Sequence, residues 1–255
     1  MIAVNALKQL FFLLRNEIKK MYSGSIFGIT WFIINPILYT FIYFILFEKI
    51  IQVKFVFKAS NVSYFEYLII GLILWNSFVN GVLRGSTSIV ENAHILKKIF
   101  IPPEYFTIVY TLISFLQNFF LLCILLIILK VFKPIFLLIF VFISLSFYIF
   151  ILGLSFILSS LTVYIRDIPQ ILNSIMNFLF YSIPIIYPYE HIPAFFKEII
   201  FLNPLVYIFK PFHDVLFYKS IDIDTMLTNF IISISVFISG IFIFRKLKNG
   251  FYDVL

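Results

Sequence analysis

Six stretches of this chain contain no Asp, Glu, Lys or Arg: Met21–Phe47, Tyr67–Leu83, Tyr105–Leu129, Pro134–Ile165, Ile168–Tyr189 and Thr225–Phe244. They are 27, 17, 25, 32, 22 and 20 residues long. A helix needs ~20 apolar residues to cross a hydrocarbon layer ~30 Å thick. The 17-residue run reaches that length only with Tyr64 and Phe65, which lie beyond Glu66. Hydrocarbon offers no partner to a free peptide group, so each run is expected to be helical. The fold class expected is therefore all-α and integral to a membrane, one domain over residues 1–255 with six transmembrane helices. Mean hydropathy of +1.08 with 12% charged residues excludes a soluble globular domain.

Six crossings put both termini on one side. Residues 1–20, 84–104, 160–167 and 245–255 carry eleven basic and five acidic residues, a net +6. The remaining segments carry eight basic and seven acidic residues, a net +1. Basic loops stay cytoplasmic, so both termini are expected there. The overall charge of +7 is a topology signal and not a nucleic-acid footprint. The single cysteine, Cys123, lies within the third run and reads as an inert core thiol.

Within residues 1–21, Leu7, Leu10, Phe11, Leu14, Ile18 and Met21 recur at helical spacing, with Lys8, Arg15, Lys19 and Lys20 largely off that stripe. This describes an amphipathic helix in the headgroup layer, or equally a basic flank of the first crossing. No small-x-small site closes the segment, so it is not expected to be a cleaved signal peptide.

Three polar rows run along the crossings at four-residue steps. The first is Trp31, Asn35, Tyr39 and Tyr43. The second is Trp75/Asn76, Asn80 and Arg84, read as ordinary hydrogen bonding between helices with Arg84 snorkelling to headgroups. The third is Asn173, Asn177 and Tyr181. Residues four apart share one helix face. An interfacial Trp/Tyr belt would explain the first row if it clustered at a helix end, but it runs through the middle. Amides and hydroxyls at that depth need partners, which favours a pathway or a helix–helix contact. Ser144, Ser146, Gly153, Ser155, Ser159 and Ser160 give the fourth crossing small residues for close packing.

The fifth run ends in a proline and aromatic knot, Pro184, Tyr187, Pro188 and Tyr189. The next apolar run, Ile199–Phe209, has 11 residues and is too short to cross. A crossing followed by a short apolar segment predicts helices that re-enter from the far side, with residues 188–210, including Asn203 and Pro204, as an external gate. On the opposite side, Glu91 to Glu104 is a short amphipathic segment closed by Pro102 and Pro103. It could be any loop or a surface on which another protein docks.

Chemical motifs are missing. There is no G-x-x-x-x-G-K-[ST], no H-E-x-x-H and no G-x-S-x-G, and His94, His191 and His213 lie in different loops. No metal site is expected. No carboxylate lies mid-crossing, which disfavours ion-coupled transport and points to an energy source on another chain.

Four segments in order are N-A-H-I-L-K-K-I-F-I-P-P-E (Asn92–Glu104), Y-I-R-D-I (Tyr164–Ile168), I-P-I-I-Y-P (Ile183–Pro188) and N-P-L (Asn203–Leu205). This set resembles the membrane subunits of bacterial ABC-2 polysaccharide exporters, which serve O-antigen, capsule and teichoic acid, and the likeness covers essentially the full chain. The resemblance implies a homodimer joined to two copies of a separate ABC nucleotide-binding subunit that carries ATP and Mg²⁺. This chain would bind no cofactor and catalyse no reaction. Residues 1–21 would form the interface helix. Residues 91–101 would form the coupling helix, with Glu91, Asn92, His94, Leu96, Lys97, Lys98 and Phe100, closed by Pro102. Arg166 and Asp167 would be a cytoplasmic motif. Trp31, Asn35, Tyr39, Tyr43, Asn173, Asn177 and Tyr181 would line a channel between protomers for a lipid-linked polysaccharide crossing the inner membrane. Many relatives carry Tyr-Arg after Asn-Pro, where this chain has Phe209-Lys210. The alternatives are an exporter of small amphiphiles, a polytopic transferase and a passive channel.

Overall fold

The computed structural model describes residues 2–21, 23–25, 27–50, 64–98 and 101–255, and no strand occurs among them. The helices are α1 (Ile2–Met21), α2 (Trp31–Phe44), α3 (Tyr64–Glu91), α4 (Ala93–Leu96), α5 (Glu104–Ile128), α6 (Pro134–Tyr164), α7 (Ile168–Ser182), α8 (Ala194–Phe201), α9 (Pro204–Leu216), α10 (Ile223–Lys248) and α11 (Phe251–Val254). Four of these, α3, α5, α6 and α10, are long and apolar enough to cross a membrane. The α8–α9 pair meets the same criterion only when taken together, and it is bent by 106°, as in a broken span or a re-entrant loop.

The first and fifth charge-free runs are not the uninterrupted helices that charge counting suggests. Gly24 and Gly28 take positive φ, at 79° and 50°. α1 ends at Met21, and helix resumes as a 3-10 turn over Gly28–Thr30 that leads into α2 at Trp31. Positive φ is free of steric penalty only for glycine. α2 then passes directly into a π-helical turn, Ile45–Ile50. The fifth run is helical for 15 residues, to Ser182, which spans about 22 Å. Pro184 pushes Ile183 out of the helical region, to φ −112° and ψ 141°. The knot therefore continues as buried irregular chain, with Ile183 and Ile185 fully enclosed.

The bundle is assembled on α6, which packs against α3, α5, α9 and α10. Small residues let the backbones approach. A Cβ on Gly153 would lie 2.6 Å from Phe237 Cα, and one on Gly240 would collide with the Gly153 carbonyl. A Cβ on Gly81 would lie 2.7 Å from Ile151, and Gly85 faces Ser155 and Thr111. Hydroxyls add short-range links between helices: Ser146 donates to Asn229 Oδ1 and meets the Ser233 hydroxyl, and Thr107 meets Ser88 and Ser159. Above these contacts α9 is plugged into an aromatic core. Phe147 stands edge-on to Phe209 at 6.0 Å and to Phe212 at 5.6 Å. α9 is mostly buried, whereas α8 buries no residue and exposes Phe195, Phe196 and Ile199.

Gly240→Leu forces α10 away from the α6 backbone. It is expected to destabilise the bundle by roughly 1–3 kcal/mol or more, seen as a lower melting temperature of the detergent-solubilised chain. Phe242→Leu, at a position 67% exposed on the same helix, should leave it unchanged.

Candidate functional site

Members of all three polar rows line two cavities beside α3, Asn173 lining neither. A cavity of about 370 Å³ is lined by Met21, Ser25, Trp31, Asn35, Asn80, Arg84 and Gln117. A second, of about 270 Å³, is lined by Tyr43, Leu72, Trp75, Asn76, Asn177, Phe180 and Tyr181. Asn76 and Asn80 are one turn apart on α3 and belong to successive cavities, so α3 carries the wall from one to the other. Aromatic rings stiffen it: Phe180 sits 5.8 Å from Tyr43 and 5.5 Å from Trp75, and Phe27 stands edge-on to Trp31 at 5.7 Å.

These positions are open rather than sealed. Asn35, Asn80 and Asn177 are exposed, and Tyr181 is 68% exposed. Asn173 is also exposed, and its amide donates to the Pro169 carbonyl at 3.1 Å. The Tyr39 side chain lies outside the described residues. Sequence reasoning placed Asn76 and Asn80 in helix contacts, yet both line the cavities with the first and third rows. Their four-residue step was the available signal. Gln117 had none, being one polar residue in a Leu/Phe-rich helix.

Arg84 is held by partners on α1. It pairs through Nη2 with Glu17 Oε1 of α1 at 3.2 Å, and its Nη1 meets Met21 Sδ at 2.9 Å. The guanidinium lies 5.4 Å from the Tyr110 ring. Tyr110 donates to Glu91 Oε2 at 3.3 Å and accepts from Asn92 Nδ2 at 2.9 Å. One network thus joins α1, the wall helix α3, α5 and the segment before α4.

Of the 91–101 segment expected as one helix, Glu91 ends α3, Asn92 is a turn and Ala93–Leu96 forms a separate single helical turn. Glu91, His94, Lys97 and Lys98 are exposed. Asn92 and Leu96 are buried in the bundle, and Pro102 is half-buried. Phe100 lies outside the described residues. A cleft of about 360 Å³ separates α1 from this turn, with Phe12, Asn16, Lys20, His94 and Ile95 on its rim.

At the other end of α3, two tyrosines hold the knot. Tyr67 donates to the carbonyl of Pro184 at 2.8 Å and of Tyr187 at 3.3 Å, and Tyr64 to that of Ile186 at 2.7 Å. Tyr187 donates to the Tyr181 carbonyl at 3.1 Å. Pro184, Pro188 and Tyr189 are buried, while Pro204 is exposed. Asn203 caps α9 by accepting from Leu205 N at 3.0 Å, and its amide donates to Ser182 at 3.2 Å. Lys210 bridges Asp214 at 2.7 Å and Asp222 at 2.9 Å. Arg166 and Asp167 are exposed in the α6–α7 turn. No group of three or more His, Cys, Asp or Glu able to hold a metal occurs among the described residues.

Residues 8–217 match the family described as ABC-2 type transporter. Two proteins of Klebsiella pneumoniae named O-antigen export system permease protein RfbA are 26% and 29% identical to the chain. Their alignments run over 243 and 248 residues and cover 94% of this chain and 92% of each relative. A Myxococcus xanthus protein of the same name is 23% identical over 252 residues, covering 94% of this chain and 93% of its own length.

Removing Arg84 takes the nearer of two cations from the mostly enclosed Glu17 carboxylate, leaving exposed Lys20 at 3.9 Å. Arg84→Ala should cost on the order of 2–3 kcal/mol, less than a fully buried pair because both groups keep some solvent. The Glu17→Gln/Arg84→Ala double variant should recover part of that loss, as a double-mutant cycle of thermal unfolding would register.

Proposed function

This chain belongs to the ABC-2 type transporter family, and we propose that it is the membrane permease of an ATP-driven exporter of lipid-linked polysaccharide, of the O-antigen kind. The relatives named as O-antigen export permeases support this, being matched along nearly their whole length. The observation that carries the reading is the open face of amides and hydroxyls on α2, α3 and α7. Polar groups at membrane depth do not face acyl chains, because nothing there answers their hydrogen bonds. A second copy of the chain, meeting the first across this face, would enclose it as a conduit.

Sugar chains suit such a wall. Asn35, Asn80, Asn177 and Gln117 exchange hydrogen bonds with hydroxyls, while Trp31, Tyr43 and Tyr181 offer ring faces to the apolar sides of sugar rings. Contacts that are weak and repeated bind each unit without trapping it, the balance any conduction path needs. Arg84, paired with Glu17, is the one charged side chain among the described residues lining these two cavities, and the rest of the lining is uncharged, so the wall would depend little on the charge pattern of the polymer.

Hydrolysis of ATP would take place on two copies of a partner subunit. The surface offered to it is Glu91, His94, Lys97 and Lys98, with Asn92 and Leu96 as the anchors that seat the turn on the bundle. A push on the turn reaches the wall through Tyr110 and Arg84. At the far end, residues 188–210 would gate the exit, and the uncovered apolar side of α8 would pack against lipid or the second copy. On this reading both termini are cytoplasmic, residues 1–21 form an interface helix and the membrane is the inner one.

Asn80→Leu combined with Tyr181→Ala should lower surface polysaccharide at least tenfold in a strain dependent on this permease, while the ATPase still co-purifies. Polysaccharide at the wild-type level would refute the conduit. Lys97→Glu with Lys98→Glu should have the opposite signature, losing ATPase co-purification while the bundle's melting temperature is unchanged.

A further inference from the structure

Away from the polar rows, α6 forms the floor of a cleft flanked by α5 and α10. The close approach at Gly153 and Gly240 holds α10 tightly against α6, and α5 packs on α6 from the other side. The cleft has a volume of about 300 Å³, and its apolar lining is Ile108, Leu152, Phe156, Phe237, Ile241 and Phe244. Phe156 stands edge-on to Phe244 at 5.1 Å and lies 6.3 Å from Phe237, which fixes the inner surface. Its mouth is charged, formed by Glu104, Arg245 and Lys248.

Lys248 engages both Glu104 oxygens, at 3.0 and 2.7 Å. Arg245 is exposed and has no ion-pair partner among the described residues, and exposed Lys246 follows it. The mouth is therefore net positive, with its one carboxylate already held. From Phe237 to Lys248 α10 rises about 16 Å, close to the depth of one leaflet of a ~30 Å hydrocarbon layer. Basic pockets between membrane helices on the cytoplasmic side select anionic headgroups.

We propose that this cleft is a binding site for an anionic phospholipid, with its phosphate on Arg245 and Lys248 and one acyl chain laid along Phe244, Ile241 and Phe237. An acyl chain matches the slot in length and polarity, and the headgroup supplies the negative charge that Arg245 lacks. The proposal rests on α10 meeting headgroups at its basic end and not on what the protein exports. A phospholipid seated there would fill the gap between α5 and α10 and brace the face of the bundle that lies away from the conduit wall.

The test is native mass spectrometry of the full chain in detergent, titrated with phosphatidylglycerol or phosphatidylethanolamine. Phosphatidylglycerol should bind more tightly, and Arg245→Gln should weaken it about fivefold, with a smaller loss for phosphatidylethanolamine, whose ammonium offsets the same phosphate. Ile241→Trp keeps the charges but fills the slot, so it should weaken both lipids; circular dichroism melting confirms that each variant is folded. Equal affinity for the two lipids, or phosphatidylglycerol binding indifferent to both substitutions, would overturn the site. Displacement of phosphatidylglycerol by a polyprenyl pyrophosphate in an Arg245-dependent way would also overturn it, reassigning the cleft to an isoprenoid carrier. Lipid bound as expected in a strain whose polysaccharide is unaffected by the conduit variants would sink the export reading alone.

Discussion

Close van der Waals contact between the thin faces of α3, α6 and α10 is the interaction on which this bundle depends. Inside a bilayer, lipid tails compete with side chains on equal terms, so apolar surface alone does not hold helices together. What remains is the number of atoms brought into contact, and glycine maximises it. At Gly153 and Gly240 the two backbones touch, and at Gly81 and Gly85 the wall helix settles into α6. The hydroxyl links of Ser146 and Thr107 then fix the register.

Because α3 is seated so firmly, it can serve as the common rod of the molecule. Tyr64 and Tyr67 hold the knot at one end, Asn76 and Asn80 line the cavities in the middle, and Arg84 and Glu91 reach the α1 and α4 region at the other. A 28-residue helix spans about 42 Å. Features that look separate in sequence are therefore three stations on one rigid element.

The sequence makes the helical class and the polar rows plain, since both follow from periodicity and from the absence of charge. Trp31, Asn35 and Tyr43 come together with Asn177 and Tyr181 on one wall. Less was visible where backbone chemistry overrode hydropathy. Gly24 and Gly28 divide an apolar run that charge counting treats as one, and Pro184 stops the fifth helix early although every following residue to Tyr189 is uncharged. The Glu17–Arg84 pair joins residues 67 positions apart; each looks like an ordinary flanking charge until α1 folds back. The contrast between bare α8 and enclosed α9 was equally hidden, because the two are similarly apolar and only their 106° bend separates them.

The tyrosine hydroxyls that grip Pro184, Ile186 and Tyr187 fasten the start of the knot to the Tyr64 end of α3. They clamp the main chain itself, so the start of the knot travels as a rigid extension of α3 whatever side chains it carries. α8 itself buries no residue, so it is held through its two ends: by buried Tyr189 before it and by the cap at Asn203 that leads into the buried plug after it.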